Sequence, residues 1–229
     1  MTTMSAEGSA ENAALAVLLE SASKGEADAW RTLVDLYSRR VFALAKSRCR
    51  SSELAEEITQ SVFVTIATKL SQSEYTEKGR FESWLFRVAM NRIRDEARRA
   101  KRHATPTDPE AVSALADRSR MSDASGASSA TNEESVQQIA RLRLAMDQLS
   151  DADREIIELR HHGQMSFQQL ADMLNEPMGT LLARHHRALR KLKEIMSEAM
   201  SQEIDRAAGT ALTPTTTHST VRIGSEKQR

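Results

Sequence analysis

Apolar residues along this chain recur at helical spacing. In "SSELAEEITQSVFVTIATKL", Leu54, Ile58, Val62, Ile66 and Leu70 step by four and drift along one side of a helix. Glu53, Glu56, Glu57 and Gln60, at offsets 0, 3, 4 and 7, share the opposite side. Ser51 or Ser52 is placed to cap the start. In "GRFESWLFRVAMNRIRDEARRAKR", Phe81, Trp84, Leu85, Val88, Ala89, Ile93 and Ala97 make a broad apolar side. Arg87, Asn91, Arg94 and Arg98, at offsets 0, 4, 7 and 11, line one polar stripe. The intervening "SQSEYTEKGR" is too polar for a helix interior and predicts a loop holding one aromatic, Tyr75.

A later block, "LSDADREIIELRHHGQMSFQQLADMLNEPMGTLLARHHRALRKLKEIM", predicts three further helices. Ser150 with Asp153 forms a capping pair, Ile156, Ile157 and Leu159 give an apolar face, and Gly163 is a stop. Ser166 with Gln169 opens the next helix, whose Phe167, Leu170, Ala171 and Leu174 face inward. "NEP" then makes a tight turn and places Pro177 at the first position of the third helix. Along it Leu181, His185, Ala188, Leu192, Ile195 and Ala199 follow the buried side, while Thr180, Arg184 and Arg187 point away. Two short helices, a brief turn and a basic helix make a helix-turn-helix.

Composition separates these blocks. The stretch "ATPTDPEAVSALADRSRMSDASGASSATNEES" is rich in Ser, Ala and Asp and has linker character. The expected organisation is a loose arm over residues 1–12, a helical module over 13–103, a flexible linker over 104–134, a helix-turn-helix module over 135–207 and a disordered tail over 208–229. The fold class is therefore all-α, two small helical domains on a tether. Aromatics at 4%, with only 8 Gly and 4 Pro, argue against a turn-rich sheet protein. The single cysteine, Cys49, cannot close an internal disulfide, and no apolar run reaches the roughly 18 residues that span a bilayer. The N-terminus lacks the order of a secretory signal, so a cytoplasmic location is expected and no membrane insertion.

Charge is balanced, 32 basic against 32 acidic residues, but unevenly placed. From Arg80 to Arg102 eight basic residues face three acidic ones. The arginine stripe is either a solvated face or a rail for a phosphate backbone, since each guanidinium offers forked donors matched to phosphate oxygens. The acidic face around Glu56 is likewise either solvated or a docking surface for a basic partner. Five basic and no acidic residues between Arg184 and Lys193 suit a helix that enters a groove. Metal binding has little support: adjacent helical residues diverge by about 100°, so neither His161/His162 nor His185/His186 chelates one ion as a pair. No nucleophile-base-orienter set or Gly-rich phosphate loop is present, so neither an enzyme nor a cofactor is expected.

Taken in order, "ASKGEADAWRTLVDLYSRRVFALA", "LAEEITQSVFVTIATKL", "GRFESWLFRVAMNRIRDEARR" and the helix-turn-helix block resemble the extracytoplasmic-function (ECF) class of bacterial sigma factors, along nearly all of residues 15–200. The resemblance implies a subunit that binds core RNA polymerase and directs it to promoter DNA, without chemistry of its own. Carried over, Glu53, Glu56, Glu57 and Gln60 fall where the family docks on the polymerase. Tyr75 and Arg80 belong to the loop that captures a flipped base of the −10 region, with Arg87, Asn91, Arg94 and Arg98 on the helix beneath. Ser166, Met178, Gly179, Thr180, Arg184 and Arg187 fall where the −35 element is read. Where the family usually has "GTVKSRLHRAL" this chain has "GTLLARHHRAL", so Leu182 and Ala183 replace a lysine and a serine, and His185 replaces a core leucine. A neutral buried histidine with its hydrogen bonds satisfied is expected there rather than a pH switch. An anti-sigma factor is a further partner the resemblance allows. The competing readings are a helix-turn-helix regulator that never joins polymerase and a purely protein-binding adaptor.

Overall fold

In a computed structural model, which describes residues 4–49, 51–103 and 131–210, the helical spacing becomes eight α-helices, with no strand among those residues. Four build the first module: α1 (Met4–Ser23), α2 (Ala27–Cys49), α3 (Ser52–Ser71) and α4 (Phe81–His103). Four build the second: α5 (Thr131–Asp147), α6 (Asp151–His161), α7 (Phe167–Leu174) and α8 (Met178–Thr210).

The first core forms where apolar stripes meet. Leu33, Tyr37, Val41 and Leu44 bury one side of α2 against Ile58, Val62, Ile66 and Leu70 of α3 and against Phe81, Leu85, Ala89 and Ile93 of α4. Each such side chain contributes about 1.5–3 kcal/mol on leaving water. Leu54 is only half-buried, and Ala55 and Phe63, off the step-of-four line, complete the face. Ser51 caps α3 by accepting the Leu54 N–H at 3.2 Å. Ala97, expected on the apolar side of α4, is exposed, because the helix runs on past the core after Ile93. Ala199 is exposed on α8 in the same way.

The helix-turn-helix is built with the expected punctuation. Ser150 caps α6, and Ser166 and Gln169 form a reciprocal capping box on α7. Asn175 ends α7 in the left-handed conformation, φ 56° and ψ 43°. Pro177 sits one position earlier than expected: its carbonyl accepts the Leu181 N–H at 3.2 Å, which makes it the capping residue of α8. Gly163 stops α6 for a steric reason rather than a torsional one. A Cβ there would lie 2.6 Å from the Leu159 carbonyl oxygen, and the left-handed turn falls on Gln164 instead.

Three boundaries differ from the sequence reading. The expected loose arm over residues 1–12 is helical from Met4, because residues such as Ala6, Glu7, Ala10 and Glu11 favour helix without any apolar rhythm. The second module begins at Thr131, and α8 continues to Thr210, past the expected end at 207. The rest of the expected linker and tail lies outside the described residues.

The modules are packed together. α4 lies against α7 and α2 against α6, so the buried residues of both form one cluster.

Candidate nucleic-acid interface

Glu53, Glu56, Glu57 and Gln60 are all exposed on α3, as their spacing predicts. Glu53 accepts the Ser51 hydroxyl at 2.7 Å, and that bond holds its carboxyl below the usual carboxylate range. One turn on, Val64 is 67% exposed and adds an apolar spot to the same stripe. The result is an acidic helix face with an apolar end, suited to a basic protein surface.

Tyr75 does not reach freely into solvent. Its ring stacks on Trp84 at 4.2 Å and 21°, meets Phe81 edge-on at 5.8 Å, and its hydroxyl donates to Glu77 Oε2 at 2.7 Å. Partial burial and that carboxylate push its ionisation well above the normal tyrosine range. The loop is therefore an aromatic shelf at the N-terminus of α4, beside Arg80.

The arginine stripe is largely occupied by the second module. Arg87 Nη2 donates to the backbone carbonyls of Asp172 at 3.0 Å and Met173 at 2.6 Å. Arg94 Nη2 pairs with Glu155 Oε1 at 2.5 Å, and its Nη1 lies 3.4 Å from Asn91 Oδ1. Arg80 Nη2 stands 3.7 Å from Asp172 Oδ1. Among the described residues, Arg98 meets Asp95 of its own helix, at 3.4 Å, with 72% of its side chain exposed.

Several residues of this seam were not singled out by spacing. Arg40 lies over the rings of Tyr37 and Phe86, forks onto Glu82 at 2.9 and 3.2 Å, and donates to the Gly163 carbonyl at 2.9 and 2.6 Å. Gln169 Nε2 donates to the same Glu82 at 2.6 Å, while Ser83 Oγ donates to the Gln169 carbonyl at 3.0 Å. Further along, Glu158 is 1% exposed and takes Arg48 on one oxygen and Arg154 on the other, the latter at 2.7 Å. Arg154 also donates to the Ser47 carbonyl at 3.1 Å and Asp147 at 2.6 Å. At the edge of this network, Cys49 is half-buried and its thiol is pushed up to about 11, chiefly by burial, which leaves it protonated and unreactive near neutrality.

On the helix-turn-helix, Met178, Gly179, Thr180 and Arg187 are exposed on the first turns of α8. A Cβ on Gly179 would meet nothing, so the packing does not demand glycine and the backbone is open to close approach from outside. Ser166 spends its oxygen on the α7 cap, accepting the Gln169 N–H at 3.2 Å. Arg184 forks onto Glu176 at 2.9 and 2.7 Å, so it is held in one orientation at the turn.

His185 corrects one expectation. It is 8% exposed, stacked on His161 at 5.7 Å and edge-on to Phe167 at 5.4 Å, but its Nε2 has no hydrogen-bond partner among the described residues. A ring in the place of a leucine cannot turn both nitrogens to the few acceptors of an apolar seam. Burial lowers its proton affinity, then His161 and His186 lower it further; burial also lowers that of His162. The unfolded rings protonate around 6.5 and the folded ones only at lower pH. Their contribution to stability is thus complete above that value and is lost as pH falls below it. His185→Leu should raise stability near neutral pH by about 1–2 kcal/mol and flatten this acid slope. Thermal melts at about pH 7.5 and 5.5 check both effects, and a parent midpoint equal at the two values would refute the account.

Among the described residues, no group of three or more His, Cys, Asp or Glu side chains could hold a metal ion, and no helix is long and apolar enough to cross a membrane.

Comparison with known proteins agrees with the two-module reading. Residues 33–103 match the family model for Sigma-70 region 2, and residues 145–194 match that for Sigma-70, region 4. The chain is 24% identical over 177 residues to the ECF RNA polymerase sigma factor SigW of Bacillus subtilis (strain 168), covering 77% of this chain and 93% of that one. It is 29% identical over 180 residues to the RNA polymerase sigma factor CarQ of Myxococcus xanthus, covering 79% and 96%. Its fold is similar to CnrH in complex with the cytosolic domain of CnrY, with a TM-score of 0.56 at 20% identity over 80% of this chain and 97% of that one. It is also similar to the sigma factor RpoE bound to the anti-sigma factor NepR from Bartonella quintana, with a TM-score of 0.51 at 20% identity over 73% and 96%. With regions 2 and 4 in order on one all-helical chain, the protein belongs to the ECF class of the sigma-70 family.

Proposed function

We propose that the chain is an initiation subunit of bacterial RNA polymerase that works by positioning and trapping. The acidic face of α3, with Glu53, Glu56, Glu57 and Gln60, fastens it to core polymerase. Arg80, Arg87, Asn91, Arg94 and Arg98 hold the phosphates of the opened −10 strand, and the Tyr75–Trp84 shelf takes an unstacked base. The open first turns of α8, from Met178 to Arg187, enter the groove of the −35 element, with the cap residue Ser166 and the Glu176-held Arg184 at its edge. No bond is made or broken by the protein itself. The observation that carries this reading is the pairing of faces: an exposed acidic stripe on α3 and a cationic stripe on the next helix, α4, of one region 2 module. Work of this kind is done in the cytoplasm, on the nucleoid. An anti-sigma factor is a natural further partner, as NepR is for its structural relative.

The test is transcription in vitro with polymerase core lacking any sigma subunit, mapping start sites across genomic templates. Specific starts are expected with the purified chain, and none at any template would end the proposal. Within the assembled holoenzyme, Arg94→Ala with Arg98→Ala should reduce open-complex formation and make the salt dependence shallower by about two counterions on a log-log plot. An unchanged slope would take both arginines off the phosphate rail.

A further inference from the structure

We infer that Ala183 reads the C5-methyl group of a pyrimidine in the major groove of the −35 element, so that thymine is selected at one position and 5-methylcytosine substitutes for it there. The inference deepens the function proposed above and rests on α8 as the helix that enters the groove. Three observations carry it.

The first is where Ala183 stands. Leu181, His185, Ala188 and Leu192 are buried and fix the inner side of α8. At about 100° per residue, position 183 falls almost directly opposite their mean direction. Ala183 is exposed, and Thr180 and Arg187, three positions before and four after, are exposed beside it along the same line. When α8 lies in a groove, the side chain nearest the base edges at this level is therefore a methyl group.

The second is that longer neighbours are drawn aside. Arg184 forks onto Glu176 at 2.9 and 2.7 Å, which ties its guanidinium back to the turn before α8. Leu182, on the other flank, is half-buried. One turn earlier the outer face carries Gly179, where even a Cβ would meet nothing, so the backbone itself can come close to the bases. With these chains withdrawn, the Ala183 methyl group faces the groove uncovered.

The third is chemical. An alanine methyl group neither donates nor accepts a hydrogen bond, so it gains by covering an apolar group and loses by covering a polar one. Of the four bases seen from the major groove, only thymine presents an apolar group, its C5-methyl. Charge holds the contact at short range. Arg187, Arg190, Lys191 and Lys193 are exposed, and no acidic residue occurs between Met178 and Lys193, so phosphates seat the helix while Ala183 meets the base.

The test uses the full chain, whose outer α8 face is open in the folded molecule. Duplexes that it retains are selected from a random-sequence pool, and binding of the enriched duplex is followed by fluorescence anisotropy. Each thymine is replaced in turn by deoxyuridine, which removes the methyl group alone. At one position the parent should lose about fourfold in affinity, the ratio that corresponds to burial of a single methyl group. A cytosine–guanine pair placed at that position should gain about as much when the cytosine carries a 5-methyl group. Ala183→Gly should show neither response. In case glycine unwinds the helix, Ala183→Ser, which ends in a hydroxyl, should bring both ratios toward one. The inference is overturned if deoxyuridine is tolerated at every thymine, or if methylated and plain cytosine bind alike at the responsive position. It is equally overturned by a response of the same size in parent and folded variant, or by a pool that yields no motif containing thymine. No polymerase enters these measurements, so failure of the sigma reading shows separately, as absence of specific starts in the transcription assay.

Discussion

Glu56→Lys combined with Glu57→Lys is expected to lower affinity for core polymerase by at least about a hundredfold, or about 2.7 kcal/mol. Both side chains are exposed on α3, and neither belongs to the buried stripe that runs from Ile58 to Leu70. The reversal therefore changes a surface and not a core. It turns an attractive face into a repulsive one toward a basic partner, where like-charge juxtaposition is costly. Circular dichroism should show an intact helical protein, and co-purification with core polymerase at low salt should fail. If co-purification persists, the acidic face is only solvated, and a helix-turn-helix regulator acting away from polymerase becomes the better account.

Glu158→Ala should be the most damaging single truncation at the seam, costing about 3–5 kcal/mol, because it strips the half-buried Arg48 of its anion and leaves Arg154 with one carboxylate fewer. Arg48 and Arg154 both close on Glu158, and Arg48 Nη2 already lacks a partner among the described residues in this buried position. Arg154 keeps Asp147, so the larger share of the loss falls on Arg48. Adding Arg48→Met should therefore recover part of the stability, since it removes the stranded charge and supplies apolar volume. Denaturant titrations of the two variants and the double form the cycle. A loss below about 1 kcal/mol for Glu158→Ala would mean that the carboxylate is hydrated in solution and that the modules spend their time apart.

Much of the local structure was legible beforehand, and for identifiable reasons. The step of four from Leu54 to Leu70 is a property of one helix, and four of its five residues are buried where the period puts them. The Ser166–Gln169 box needs only neighbours three positions apart. What failed were features without such a local rule. Ala97 and Ala199 obey the period but lie beyond the packed core. The helix from Met4 has propensity without rhythm. Gly163 was placed at the stop correctly, yet only the fold shows that its constraint is the nearness of the Leu159 carbonyl. His185 was placed on the buried side correctly, yet only packing against His161 and Phe167 reveals that one nitrogen goes unpaired among the described residues.

The amino-acid sequence alone determined the helices, their caps, the signs of their faces and the family, since each depends on residue types at separations of a few positions. Only the tertiary structure decided which of those charges are at liberty. Arg87 meets its acceptors 85 and 86 positions away, Arg94 meets Glu155 across 61, and Arg48 reaches Glu158 across 110. Helical period carries no information over such distances. They are set by how one module's polar surface settles on the other's, and Arg87 and Arg94, which read as part of a rail in the sequence, are already held in the folded chain.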